Sequence, residues 1–152
     1  MGIYAKDTSV PMDRSKAEIE RTLSRYGADQ FIYGWDKNCA IIGFRYVRYS
    51  VKIRLPLPSM EEMKLTATGK ERTNSAIMQA MEQEKRRRWR AMVLIIKAKL
   101  EAVETGIVSF EDEFLGYIML PGGQTTGEWM KPQLEESYST GKMPKSMLLL
   151  GQ

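Results

Sequence analysis

Histidine is absent from the 152 residues, and cysteine occurs once, at Cys39. Together these gaps exclude serine–histidine and cysteine–histidine nucleophilic catalysis, zinc proteases, zinc deaminases and haem attachment through histidine. A lone thiol closes no internal disulfide and cannot build a zinc cluster, so a metal would have to be held by carboxylates alone. Long apolar runs are missing too. Met92 to Ile96 and Met147 to Leu150 fall far short of the ~20 residues of a membrane span. The opening residues, with Lys6, Asp7 and Asp13, lack the apolar core of a secretory signal. The expectation is a single domain in the cytoplasm, with no membrane partner, no cofactor and no catalytic centre.

Hydrophobic residues make up 43% and charged residues 28%, the balance of an ordinary folding domain. The 23 bases outnumber the 19 acids by only four, so an anionic partner is favoured mildly and local clustering decides. The most structured stretch is Thr73 to Thr105, which contains no glycine or proline. It can run as one helix of roughly 50 Å at about 1.5 Å per residue. Trp89, Met92, Val93, Ile96, Leu100 and Val103 form one apolar stripe on it at three- and four-residue steps. Roughly opposite lie Ala91, Leu94, Ile95, Ala98 and Ala102, a second face that suits either a twofold homodimer or cover by the C-terminal helix.

Around this spine the chain divides into a loose arm (1–12), a helix followed by three strands (13–58), a loop (59–72), a helical part (73–142) and a tail (143–152). Ser15 and Glu18 fit a capping box that would open the first helix, with Gly27 closing it. Gln30–Trp35, Cys39–Tyr46 and Val51–Leu57 read as strands joined by turns at 36–38 and 47–50. In the last strand Val51, Ile53, Leu55 and Leu57 alternate with Lys52, Arg54 and Pro56, giving one face to a core and one to water. Ser109 caps a short helix through Phe110 and Phe114, and Pro132 suits the first position of a last helix closed by Gly141. The fold class expected is α+β: a small antiparallel three-stranded sheet packed on a long central helix, with an N-terminal helix and short C-terminal helices.

The basic run Lys85 to Arg90 carries the sharpest functional signal. Glu82 and Glu84 stand four residues before Arg86 and Arg88 and can pair with them, leaving Arg87 and Arg90 unpaired. Arg86, Arg90 and Lys97 share a helix flank that could follow a phosphate backbone, although a solvated flank accounts for the same residues. Arg45, Arg48, Lys52 and Arg54 make the second hairpin basic. The stretch Ile42 to Tyr49 resembles an RNA-recognition strand in part, but lies in a hairpin and begins with Ile42, so Phe44 and Tyr46 read better as sheet-face residues. Glu111, Asp112 and Glu113 suit a helix first turn better than a cation site, Gly122-Gly123 is a turn, and Cys39 reads as a small buried hydrophobe.

Arg88-Trp89-Arg90-Ala91, the run from Ile96 to Glu104, Phe110-Glu111 with Phe114, Leu120-Pro121 with Gly123, and Gly127-Glu128-Trp129-Met130 together resemble small uncharacterised proteins of tailed phages and prophages. Ile42-Gly43-Phe44 and Pro56-Leu57-Pro58 belong to the same pattern. The resemblance implies a mobile-element origin, with a role in phage DNA metabolism or in blocking host defence, and it carries over no catalytic residue. Two functions follow as expectations. One is a non-enzymatic protein that binds nucleic acid by its phosphates through Arg86, Arg87, Arg90, Lys97, Arg45, Arg48, Lys52 and Arg54. The other is an anti-defence inhibitor that binds and blocks a host protein through an apolar or mixed patch.

Overall fold

A computed structural model describes residues 2–35 and 38–145, with side chains from Met12 onward. The elements are α1 (Gly2–Arg25), β1 (Ala28–Trp35), β2 (Cys39–Tyr46), β3 (Tyr49–Pro56), α2 (Asn74–Glu104), α3 (Phe110–Phe114) continued by a single 3-10 turn (Leu115–Tyr117), and α4 (Thr126–Thr140). The fold is α+β, an antiparallel sheet in the order β1-β2-β3 packed on α1 and α2.

Strand alternation builds the core. Phe31 and Tyr33 of β1, Ala40, Ile42 and Phe44 of β2, and Val51, Ile53 and Leu55 of β3 face the helices, while Lys52 and Arg54 point outward. Against them α2 presents Trp89, Met92, Val93, Ile96 and Leu100, all buried, and α1 adds Ile19 and Leu23. Trp89 at 3% and Ile96 at 0% exposure make α2 the spine of the molecule. Thr73 caps it by accepting from the Ala76 amide, which satisfies one of the donors left open at a helix start.

Several boundaries depart from the sequence reading. Helix α1 starts at Gly2, so residues of the expected arm are helical and Ser15 lies inside the helix, where its capping signal has no terminus to act on. The β2–β3 hairpin closes more tightly than expected, through Val47 and Arg48 alone. Val47 has φ 54°, a left-handed position that a β-branched residue rarely takes. Pro132 is seven residues into α4, because Thr125 takes the N-cap and accepts from the Glu128 amide. A proline there cannot donate to the preceding turn. The buried Gln133 side chain donates to the Trp129 carbonyl at 2.9 Å beside that gap.

The C-terminal elements lean on both the sheet and α2, where Lys99 reaches Glu113 at 3.2 Å. Phe114 meets Phe44 edge-on at 5.8 Å, and Tyr46 stacks on Phe110 at 4.3 Å, so the two aromatics of the hairpin serve the core. The Met119 amide donates to the Ser50 carbonyl, and α4 packs on the turn after α3. A Cβ at Gly127 would come within 2.7 Å of the Gly116 carbonyl oxygen, so glycine alone permits that approach. The turn residues Asp36 and Lys37, and the apolar run Met147 to Leu150, lie outside the described residues. No helix among the described residues is long and apolar enough to cross a membrane.

Candidate functional site

Four of the eight expected phosphate contacts already hold an acid. Arg45 forms a bidentate pair with Asp29, its Nη2 2.6 Å from Oδ2 and its Nε 3.0 Å from Oδ1. Arg54 reaches Glu128 at 3.2 Å, Arg87 reaches Glu84 through Nε at 2.9 Å, and Lys97 donates to Glu18 from the neighbouring helix. The expectation that Arg87 is unpaired therefore fails. Glu84 sits one turn before both Arg87 and Arg88 and binds the two together, and their guanidinium groups hold its carboxyl down at about 2. The Lys97 ammonium likewise lowers Glu18, and Arg45 lowers Asp29.

The other four form no ion pair among the described residues. Arg48 donates to the Tyr49 hydroxyl at 3.1 Å, Lys52 donates to the Gly123 carbonyl at 3.2 Å, and Arg90 is exposed. The expected Glu82–Arg86 pair does not form: Glu82 turns to Lys85 at 3.6 Å, and Glu82 Oε2 and Arg86 Nε are buried without a hydrogen-bond partner among the described residues. The structure does not bring the two basic groups together. Lys52 and Arg54 point away from the sheet face that packs on α2, whereas Arg86, Arg90 and Lys97 belong to that helix.

Aromatic rings and lysines converge elsewhere, at the end of the sheet where α1 and α2 pass it. A cavity of about 220 Å³ opens there between Met12 and Lys16 of α1, Tyr33 and Trp35 of β1, Ala40 of β2, Leu57 just past β3, and Lys85 and Trp89 of α2. Trp89, almost fully buried, is the floor, with Tyr33 edge-on to it at 6.0 Å. Trp35 is 76% exposed and forms the rim. Lys16 Nζ stands 4.5 Å from the centroid of the Tyr33 ring and 5.3 Å from that of Trp89. The acids beside the two lysines are loosely placed, Asp13 at 3.9 Å from Lys16 and Glu82 at 3.6 Å from Lys85. This volume lies below the ~300–1,000 Å³ of pockets for drug-sized ligands, and so suits one planar ring system with an anion beside it.

Lys16, Tyr33 and Trp35 are absent from the sequence-derived site because each reads as an ordinary helix or strand residue. The available signal was a tryptophan ending a strand and a lysine four residues before Trp89. Cys39, expected as a buried hydrophobe, is half-buried on the outer sheet face, where the Arg54 guanidinium donates to its sulfur at 3.8 Å. Ser109 caps α3 over Glu111 to Glu113 by accepting from the Asp112 amide, and no cluster of three metal-ligating side chains occurs among the described residues. Compared with known proteins, the chain matches no family model, no curated protein and no solved structure.

Proposed function

We propose that the chain is a non-enzymatic nucleic-acid-binding protein that takes a single strand at the cavity between Trp35, Tyr33, Lys16 and Lys85. The observation that carries this reading is the convergence of exposed and half-buried rings with two loosely paired lysines in one small concavity. A base stacks on an aromatic face whatever its sequence, and a cation nearby meets the adjoining phosphate. Arg48, in the β2–β3 turn, lies at the opposite end of the sheet and Lys52 on its outer face, so the two cavity lysines carry the phosphate contact. Contacts to phosphate and ring faces give affinity with little sequence preference. The setting that the sequence resemblance implies is phage or prophage DNA metabolism in the host cytoplasm.

The test is fluorescence anisotropy of a labelled oligothymidylate, and of a duplex of equal length, between about 50 and 200 mM salt. The single strand is expected to bind more tightly than the duplex. Trp35→Ala should weaken it by roughly tenfold, the loss of one stacked base. Replacing Lys16 and Lys85 by glutamine should flatten the log–log salt slope by about 1.4, the share of two contacts on a single strand. Absence of binding at the lowest salt, or binding indifferent to Trp35, refutes the reading. The second reading, a blocker of a host protein, is favoured by β1, whose Ile32 is 70% exposed on a strand paired only with β2 among the described residues. One stoichiometric host protein retained by the chain after nuclease treatment, and lost with Ile32→Lys, would support it.

A further inference from the structure

The outward face of α2 has no cover among the described residues. Leu94 is 62% and Ile95 45% exposed, Ala98 is exposed beside them, and α4 packs on the turn after α3 instead of closing this face. Apolar side chains this large at the middle of a rigid helix mark a contact surface when the flanks are polar and complementary. The flanks are complementary to themselves. Arg90, exposed and without an ion-pair partner among the described residues, lies on the same side of the stripe as Glu101, which is also exposed. They stand about 16 Å apart along the axis at ~1.5 Å per residue, one on each side of Leu94 and Ile95.

We infer that this face binds a second copy of the chain, with the two α2 helices antiparallel about a twofold axis at the level of Ile95 and Ile96. A twofold axis perpendicular to the helices lays one flank against the same flank of its copy and reverses the helix direction. Arg90 of each protomer thereby comes level with Glu101 of the other, twice, while Leu94 and Ile95 of each helix pack over the small side chains around Ala98 of the other. Glu101 is presented for this by Tyr26, whose hydroxyl donates to its carboxylate at 2.6 Å. A parallel twofold would put the Arg90–Glu101 flanks on opposite sides of the seam and leave these charges unmatched, so the charges select the antiparallel arrangement. The surface is distinct from the nucleic-acid cavity, and the inference stands independently of that reading.

Charge reversal tests it. Sedimentation velocity over roughly 1–100 µM should give a concentration-dependent dimer for the parent chain. Arg90→Glu and Glu101→Arg should each weaken association about tenfold or more, because every single reversal sets like charges together at both symmetric contacts. The double variant R90E/E101R should recover most of the parent affinity, and Leu94→Arg should abolish the dimer with helix content by circular dichroism unchanged. A parent chain that stays monomeric throughout, a double variant no stronger than the single ones, or an undiminished dimer with Leu94→Arg overturns the inference. If a single variant fails to fold, the parent mass and the double variant still decide.

Discussion

Trp89 and Leu94 stand five residues apart on α2 and lead opposite lives: one is 3% exposed and the other 62%. Residue type alone does not separate the two faces, since each carries large apolar side chains at the middle of the helix. What separates them is that the inner stripe continues over Trp89, Met92, Val93, Ile96 and Leu100 and meets a sheet and a helix of matching apolar alternation. The outer stripe is shorter and broken by alanine. One face is spent on the fold, and the other stays exposed among the described residues.

The comparison breaks most sharply at the centre of the helix. Ile96→Ala leaves a hole in a fully buried layer and should cost about 2–5 kcal/mol of unfolding free energy. Leu94→Ala removes a similar volume from the outer face and should change monomer stability by less than about 0.5 kcal/mol. Urea denaturation at a concentration where the protomer is monomeric measures both. Equal losses would mean that the outer face is as closely packed as the inner one.

A smaller effect separates electrostatic from apolar support. Glu84 is held near 2 by hydrogen bonds from Arg87 and Arg88, below its ordinary 4.5, so the folded state binds fewer protons than the unfolded one between these values. Its contribution is whole above about pH 4.5 and fades as the pH falls toward 2. Glu84→Gln should therefore lower stability at pH 7 by roughly 0.5–1 kcal/mol, and the parent and the variant should converge near pH 2. Thermal melts of both across this range check it. A difference that persists at the acid end would assign the loss to packing of the Glu84 stem.

Much of the fold was legible because the signals were long. A stretch free of glycine and proline with an unbroken apolar period specifies α2, and strict alternation from Val51 to Leu55 specifies both β3 and its buried face. Short signals misled. Ser15 with Glu18 looks like a helix start wherever it falls, and Pro132 looked like a first position although Thr125 holds the cap. Counting four residues back from Arg88 found its pair with Glu84, but the three-residue partner Arg87 competes for the same carboxylate on the same face. The cavity was not legible at all, because Lys16, Tyr33, Lys85 and Trp89 belong to three elements and meet only when the sheet docks on both helices.

The functional claim rests on Trp35 and Tyr33 facing a base, and photochemical crosslinking addresses that contact itself. A single strand carrying 5-bromodeoxyuridine is irradiated with the protein at low salt, and the adduct is located by peptide mass mapping. The account predicts adducts on Trp35 or Tyr33, lost when unlabelled single strand is added in excess and absent with Trp35→Ala when that residue is the site. Adducts confined to the Arg48–Lys52 hairpin or to the Arg86–Lys97 flank of α2, with none at the cavity, would contradict it.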